Sequence, residues 1–482
     1  MAQGKRIAVF SMTPLFPEFV MGGGQAQLKK VALHLGELGH KLTILSTRRE
    51  GSQAPFRWHE HVEILPCLRF KQPYPEPYFT PLYHIANAMR YVGAAIDAAD
   101  VHYSHDGGLI FPYVYQRKPT VISLRSIIYP ETMQCAFLFQ GDAWILPSEH
   151  TRDSYHAAVA QFAPLVGERM HAIHNGFDWD VFQFTPPQRI FEIIPRSIVG
   201  HPTLLFPHRP EEAKGIYEVL QVASKLVHER GWHDLRVLLP RWLDADTAPA
   251  NRDYYTKLRQ TIHEAALDDI FVFHDWINEA QIAEYYSLAD ATLCIGSCVE
   301  TFGNTVFESL GCGTPVIAAR VATYRDLLPD EYISRVDYGD IDAATAVADQ
   351  LLRTRRRTSA AAQAYLRAHF SLEQMVSRYA DVIINARKLP PLDYRLPRLD
   401  ESTRYRLAPW CSLSARRGIF HDFRSDYTFD EALLRLARED PAGFAGSAVD
   451  TERLHSWLDE GLVVPIAGGS TPLNPPEKSG GG

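Results

Sequence analysis

Cys298-Val-Glu300-Thr-Phe302-Gly303-Asn304-Thr-Val-Phe-Glu308-Ser-Leu-Gly311-Cys-Gly313-Thr-Pro315-Val-Ile317 lies between two short apolar runs, Ala291–Ile295 and Pro315–Ala319. It reads as a loop after a strand, then a helix from Asn304 to Leu310, then another strand. A strand–helix–strand unit implies a parallel sheet with a right-handed crossover. The backbone N–H groups of Phe302, Gly303 and Asn304 fall at the helix start. There, donors without intrahelical partners and the helix dipole favour an oxygen-rich ligand. Glu300 sits in the loop, able to accept hydrogen bonds from hydroxyls. Glu308 lies further in, and its two carboxylate oxygens suit a vicinal diol. A glutamate near a helix start is common for electrostatic reasons alone, so the pair takes its meaning from its surroundings.

The same alternation extends in both directions. Upstream come strand Thr203–Phe206, helix Ile216–Arg230, strand Leu235–Leu239, helix Asp253–Ala265, strand Ile270–His274 and helix Ala280–Ala289. The N-terminal part repeats the theme: strand Arg6–Ser11, helix Gln25–Leu38, strand Lys41–Ser46, then strands at Val62–Leu65, Val101–Ser104, Thr120–Leu124, Ala143–Leu146 and Met170–Ile173. Between the halves, Gln183–Pro202 contains Pro186, Pro187 and Pro195 and reads as a connection. Two doubly wound halves are expected to place a ligand cleft at the carboxyl ends of their strands. From about Pro390 the character changes. Helices at Phe429–Ala437 and Thr451–Glu460 precede a strand-like Leu462–Ile466, and the Gly/Pro/Ser-rich tail from Gly468 has the composition of a disordered segment.

The 482 residues are 46% hydrophobic and 22% charged, with a net charge of 49 − 57 = −8. That composition is globular and gives no electrostatic footprint for nucleic acid. Six scattered cysteines make no disulfide framework. Cys294 and Cys298 lack the further ligands of a zinc site, and Asp244-Ala-Asp246 reads as surface acid in a loop. No metal site is expected. Arg353, Arg355, Arg356 and Arg357 read as a solvated helix end. The N-terminus leads into a strand without a signal-peptide region, and no apolar stretch approaches the roughly 18 residues of a membrane span. A soluble, cytoplasmic protein is the expectation.

In its full context the Glu300–Ile317 segment resembles the nucleotide-sugar signature of glycosyltransferase family 4, the retaining GT-B enzymes of glycosyl transferases group 1. Other segments are similar to the same family in the same order. Phe206-Pro-His208-Arg209-Pro-Glu-Glu-Ala-Lys214-Gly215 resembles the strand-end turn whose Arg and Lys grip the donor diphosphate, with His208 where the family usually has Gly. Met21-Gly22-Gly23-Gly24-Gln25 resembles its glycine-rich loop, and Asp100-Val-His102-Tyr-Ser-His105-Asp106 the strand end that presents a histidine to the sugar. His174-Asn175-Gly176-Phe177-Asp178 resembles the turn closing the first domain, and the segment from Phe370 the helix that crosses back to it.

The resemblance implies an α/β protein of GT-B fold, with two facing Rossmann-like domains and a small α-rich C-terminal extension. The expected boundaries are 1–185 for the acceptor side, 200–370 for the nucleotide-sugar side, 371–389 for the crossing helix, 390–467 for the extension and 468–482 for the tail. It implies transfer of a sugar from a nucleotide-diphosphate sugar, UDP- or GDP-linked, to an acceptor hydroxyl, with retention and without metal or other cofactor. Arg209, Lys214, Glu300 and His105 are the implied catalytic residues, and Gly23, Gly24, Phe302, Gly303, Asn304 and Glu308 the donor-binding ones. The acceptor class stays open among polysaccharide, glycoconjugate and secondary metabolite. So does the extension's role, either a cap packing Trp410, Phe420 and Trp457 or a winged-helix-like module recruiting an acceptor or partner. A sugar-nucleotide 2-epimerase and a non-catalytic nucleotide-sugar-binding protein are the rival readings.

Overall fold

The structure, a computed structural model, describes residues 4–466 apart from 19, 21, 50, 70–79, 107–113, 115, 139–140, 242–248 and 398–401. Met21, the Asp244/Asp246 pair and the 468–482 tail lie outside the described residues. The chain forms two compact units, Met1–His174 with Val376–Gly482, and Asn175–Met375.

The first unit is built on eight strands: β1 Arg6–Ser11, β2 Lys41–Thr47, β3 Phe56–His59, β4 Val62–Leu68, β5 Val101–His105, β6 Thr120–Ser123, β7 Ala143–Leu146 and β8 Met170–Ala172. Their order is β3-β4-β2-β1-β5-β6-β7-β8. All pair in parallel except β3, which runs antiparallel along β4 at the edge. In β1, Ile7, Ala8, Val9 and Phe10 are each at most 2% exposed, the continuous apolar run of a strand covered on both faces. The sheet grows from β1 toward β2 on one side and β5 on the other. Its topological switch point therefore lies between β1 and β5.

The second unit holds β9 Thr203–Leu205, β10 Arg236–Pro240, β11 Phe271–His274, β12 Ala291–Cys294, β13 Val316–Ala319 and β14 Ser334–Val336. They run parallel in the order β11-β10-β9-β12-β13-β14, with the switch point between β9 and β12. The helix Ile216–His228 buries Ile216, Val219, Leu220, Ala223, Leu226 and Val227, one stripe of a 3.6-residue period. Each large apolar side chain buried there is worth roughly 1.5–3 kcal/mol, so packing rather than propensity holds this helix.

Three expectations are corrected. Gln183–Pro202 is not a bare linker: Ile190, Ile194 and Ile198 are 0–4% exposed and join the second unit's core beside Leu205 and Leu238. Ile190 and Ile198 sit in short 3-10 turns and Ile194 between them, and all three share one cluster. The extension is not mainly helical. Besides helices Glu431–Glu439 and Thr451–Asp459 it carries β15 Arg404–Leu407, β16 Cys411–Ser414, β17 Gly418–His421, β18 Asp426–Thr428, β19 Phe444–Ala445 and β20 Val463–Pro465. These make two three-stranded antiparallel sheets, β19-β15-β20 and β16-β17-β18. Strands of two to four residues leave almost no alternation to read.

Within the extension, Trp457 belongs to a core with Tyr405, Leu433, Leu436 and Val463, which reaches Ala157 on the Glu149–Val159 helix of the same unit. Trp410 donates to Gly461 O at 2.7 Å, and Phe420 packs on Tyr427 at 5.0 Å. Third, Arg357 is not solvated. Its guanidinium donates to the carbonyls of Ala289 (2.7 Å) and Cys312 (3.2 Å), tying the end of one helix to the loops around β12.

Candidate functional site

In the second unit the chain leaves the sheet at the carboxyl ends of β9 and β12, the two strands flanking the switch point. After β9, Phe206–Gly215 turns into the helix Ile216–His228; after β12, Ile295–Gly303 turns into the helix Asn304–Gly311. The two loops meet backbone to backbone. Cys298 N donates to Ala213 O at 2.7 Å. Gly215 has φ +94°, and a Cβ on it would lie 2.6 Å from Gly296 N; a Cβ on Gly296 would lie 2.2 Å from the Lys214 carbonyl carbon. Two glycines thus permit an approach that no side chain allows.

That approach brings Lys214 Nζ onto Glu300 Oε1 in a buried-edge ion pair, each side chain about a quarter exposed. Desolvation works against the ammonium, yet the charge of Glu300, with Cys298 beside it, outweighs burial and holds the Lys214 pKa above the ordinary lysine value. Lys214 is a fixed cation here. His208 faces the same charge: burial first and then Lys214 push its pKa down to about 3, so the ring is neutral. Arg209 is not drawn into this cluster. Its side chain is 62% exposed and its nearest ion-pair partner is Glu211 at 3.7 Å.

The helix start beyond Glu300 is held from three sides. Phe302 is 2% exposed and stacks on Phe307 with centroids 4.6 Å apart, so its ring is an anchor and only its backbone faces the loop. Gly303 has φ +81°, and a Cβ there would meet Tyr324 Cε1 at 2.2 Å. Asn175 Nδ2 donates to Asn304 Oδ1 at 2.8 Å. One turn on, Tyr286 Oη donates to Glu308 Oε2 at 2.9 Å. Burial, and then the Glu308 charge, keep the Tyr286 phenol above its ordinary pKa, so it remains a donor.

The first unit carries its own constellation at the β1/β5 switch point. Gly23 and Gly24 open the helix Gly23–Glu37 after β1, and His105 ends β5. His105 is 2% exposed, with Nδ1 2.7 Å from Tyr103 Oη and Nε2 2.8 Å from Gly24 O. A carbonyl only accepts, so Nε2 carries the proton and Nδ1 accepts from the tyrosine. Burial, then the Arg125 charge, lower its pKa to about 3. In this structure both ring nitrogens are taken, and His105 fastens the glycine-rich loop.

Sequence reasoning passed over Gly296 and Tyr286, weighed Cys298 only as a metal ligand, and took Asn175 as a turn residue only. The signal for Gly296 was a glycine directly after a strand; nothing local marks Tyr286. Among the described residues no group of three or more His, Cys, Asp or Glu could hold a metal ion, and no helix is long and apolar enough to cross a membrane.

Residues 192–367 match the family model of glycosyl transferases group 1. The chain is similar to a 2-deoxystreptamine N-acetyl-D-glucosaminyltransferase of Streptomyces fradiae, 24% identical over 279 residues, 54% of this chain and 65% of that protein. It is also similar to a D-inositol 3-phosphate glycosyltransferase of Arthrobacter sp. (strain FB24), 26% identical over 225 residues, 42% of this chain and 50% of that protein. The chain thus spans less than two thirds of the length of these relatives. Among solved structures, Anabaena Alr3699/HepE in complex with UDP and glucose aligns with a TM-score of 0.60 at 16% identity, over 79% of this chain and 99% of that one. At that identity the likeness is one of fold: the parallel-sheet α/β architecture matches GT-B glycosyltransferase structures.

Proposed function

We propose that this protein is a retaining glycosyltransferase that moves a sugar from a nucleotide-diphosphate sugar to an acceptor hydroxyl. The observation that carries the reading is the meeting of Lys214 and Glu300 at the second sheet's switch point, within the segment that matches glycosyl transferases group 1. A fixed cation suits a diphosphate whose charge grows as it leaves, and a carboxylate beside it suits sugar hydroxyls. Glu308 is assigned the ribose diol, with Tyr286 holding one of its oxygens. The backbone N–H groups from Phe302 to Asn304 are assigned donor oxygens at a helix start. HepE's complex with UDP and glucose favours UDP as the first nucleotide to try.

In the reaction the bond from the anomeric carbon to the diphosphate oxygen breaks, and the acceptor oxygen bonds the same face. The acceptor's proton passes to the departing phosphate oxygen, so no protein nucleophile is needed. Catalysis then rests on positioning and charge stabilisation. Lys214 stabilises the leaving group, Arg209 is assigned to swing onto the diphosphate, and His105 acts as a positioning residue through the Gly24 carbonyl in the first turn of the helix Gly23–Glu37. The chemistry is assigned to the protein's own groups and the substrate's phosphate, with no metal or cofactor.

The test is UDP titration followed by turnover with a panel of UDP-sugars, on the parent, Lys214→Ala and Glu308→Ala. UDP at 100 times its Kd should stabilise the parent by about 2.7 kcal/mol. Glu308→Ala should weaken UDP by roughly 1.5–3 kcal/mol, the worth of hydrogen bonds to a charged group. Lys214→Ala should lower kcat by about 100-fold or more, as removal of an electrostatic stabiliser does. Folded variants that bind and turn over like the parent would falsify the assignment.

A further inference from the structure

The first unit contains a cavity to which the proposed reaction assigns no group. About 920 Å³ in volume, it runs between one face of the sheet and the helix Leu82–Ala98. Its floor follows the two-residue period of a strand: Lys41, Thr43 and Leu45 on β2, then Leu65 and Cys67 on β4 with Arg69 just beyond. The helix that should close this face buries only Ala88, Val92 and Ile96, and it lines the cavity with Ala88, Ala94, Ala95 and Ala98. Alanines span little of the gap, and among the described residues His84, Asn87 and Tyr91 are the larger side chains this helix adds to the lining beside Tyr83 at its start. From Lys41 to Arg48 the groove extends seven strand residues, about 23 Å at roughly 3.3 Å each. Half a bilayer's hydrocarbon thickness, about 15 Å, fits within that length.

The charge of the lining is one-sided. Arg6 and Lys41 stand at one end, Arg48 and Arg69 at the other, and no Asp or Glu is among the described lining residues. This is a chain in which acidic residues outnumber basic ones by 57 to 49. Arg6 is ion-paired with Asp100 at 3.2 Å. At the Arg48/Arg69 end, His84 lines the wall with its Nδ1 buried and no hydrogen-bond partner among the described residues. Next to it, Tyr83 is 63% exposed at the helix start, and Tyr91, 46% exposed, lines the groove further along.

We propose that this groove is a binding site for an amphiphile with a single long acyl chain and an anionic head. The chain lies along the alanine face, and the carboxylate head sits between Arg48, Arg69 and His84. This site is separate from the donor residues of the second unit and stands or falls without them. The single-chain groove commits the occupant to a free fatty acid rather than to a bilayer phospholipid, which carries two acyl chains.

The test uses the full chain and a dansylated undecanoate probe, displaced by palmitate or by dodecyltrimethylammonium. A flotation assay runs beside it, with phosphatidylcholine vesicles that do or do not contain phosphatidylglycerol. Saturable probe binding displaced by palmitate is expected. The double variant Arg48→Glu/Arg69→Glu should raise the palmitate Kd at least tenfold, and Ala95→Phe, at a half-exposed position that fills the groove, should do the same with an unchanged circular dichroism spectrum. Palmitate displacement without flotation assigns the ligand to the free acid. Flotation that requires phosphatidylglycerol and is lost in the arginine variant would make the groove a membrane contact and overturns the proposal. Absence of palmitate displacement, or equal displacement by the cationic amphiphile, overturns it too.

Discussion

Lys214 and Glu300 lie 86 positions apart in sequence and form one ion pair in the fold. What lets them meet is a set of residues without side chains, Gly215 and Gly296, whose backbones touch. Gly303 has a comparable task under Tyr324, and its replacement tests how rigidly the helix start is held. An alanine at φ +81° carries about 1–2 kcal/mol of backbone cost, and its Cβ collides with a buried tyrosine ring. Gly303→Ala should therefore lower the urea midpoint without changing the m-value. A midpoint equal to the parent's would mean that the loop relaxes freely and that Tyr324 does not define it. At this scale the motif was legible, because glycines and carboxylates in a fixed spacing carry their chemistry with them. The architectural employment of both His105 nitrogens was not, since its partners Tyr103 and Gly24 are assigned only by the fold.

The helix Asn304–Gly311 has no side-chain cap of its own, its N-cap being Gly303. Asn175 does not cap the backbone but tethers the helix's first residue from outside, donating across 129 positions to the Asn304 side-chain carbonyl. Asn175→Ala should cost roughly 0.5–1.5 kcal/mol of stability, the net worth of one hydrogen bond. It should also weaken UDP, because the loop carrying the donor-facing amides loses a tether. Stability loss with unchanged UDP affinity would make the contact structural only. Helix and strand positions in the two large sheets followed directly from apolar periodicity, as in the Ile216–His228 stripe. The helices Leu82–Ala98 and Glu149–Val159 were left unassigned, and the strands that escaped were short or at edges. β3 pairs on one side only, and the six strands of the extension are two to four residues long, too short for a pattern to stand out from loop composition.

Across the whole molecule, burial of neutral histidines sets the response to acid. Burial lowers His102 and His105 to about 3 in the first unit, and His274 to about 4 in the second, from the ordinary 6.5. With folded values depressed, the unfolded chain binds protons first. The contribution is complete above pH 6.5 and is lost as pH falls toward 4 and 3. Each group costs up to about 1.4 kcal/mol per pH unit in that window, so at pH 5 each removes about 2 kcal/mol. The urea midpoint should thus drop steeply between pH 7 and pH 5; a flat profile would show that these rings are hydrated in solution. By itself the sequence determined the alternating strands and helices, the run of glycines after the first strand and the glutamate pair, because each depends on neighbours within a few residues. The tertiary structure alone decided that Gln183–Pro202 packs with the second unit, that Arg357 is tied into carbonyls, and that Lys214 reaches Glu300. Those contacts join positions tens of residues apart, 86 for Lys214 and Glu300, and only the folded sheet brings such positions within bonding distance.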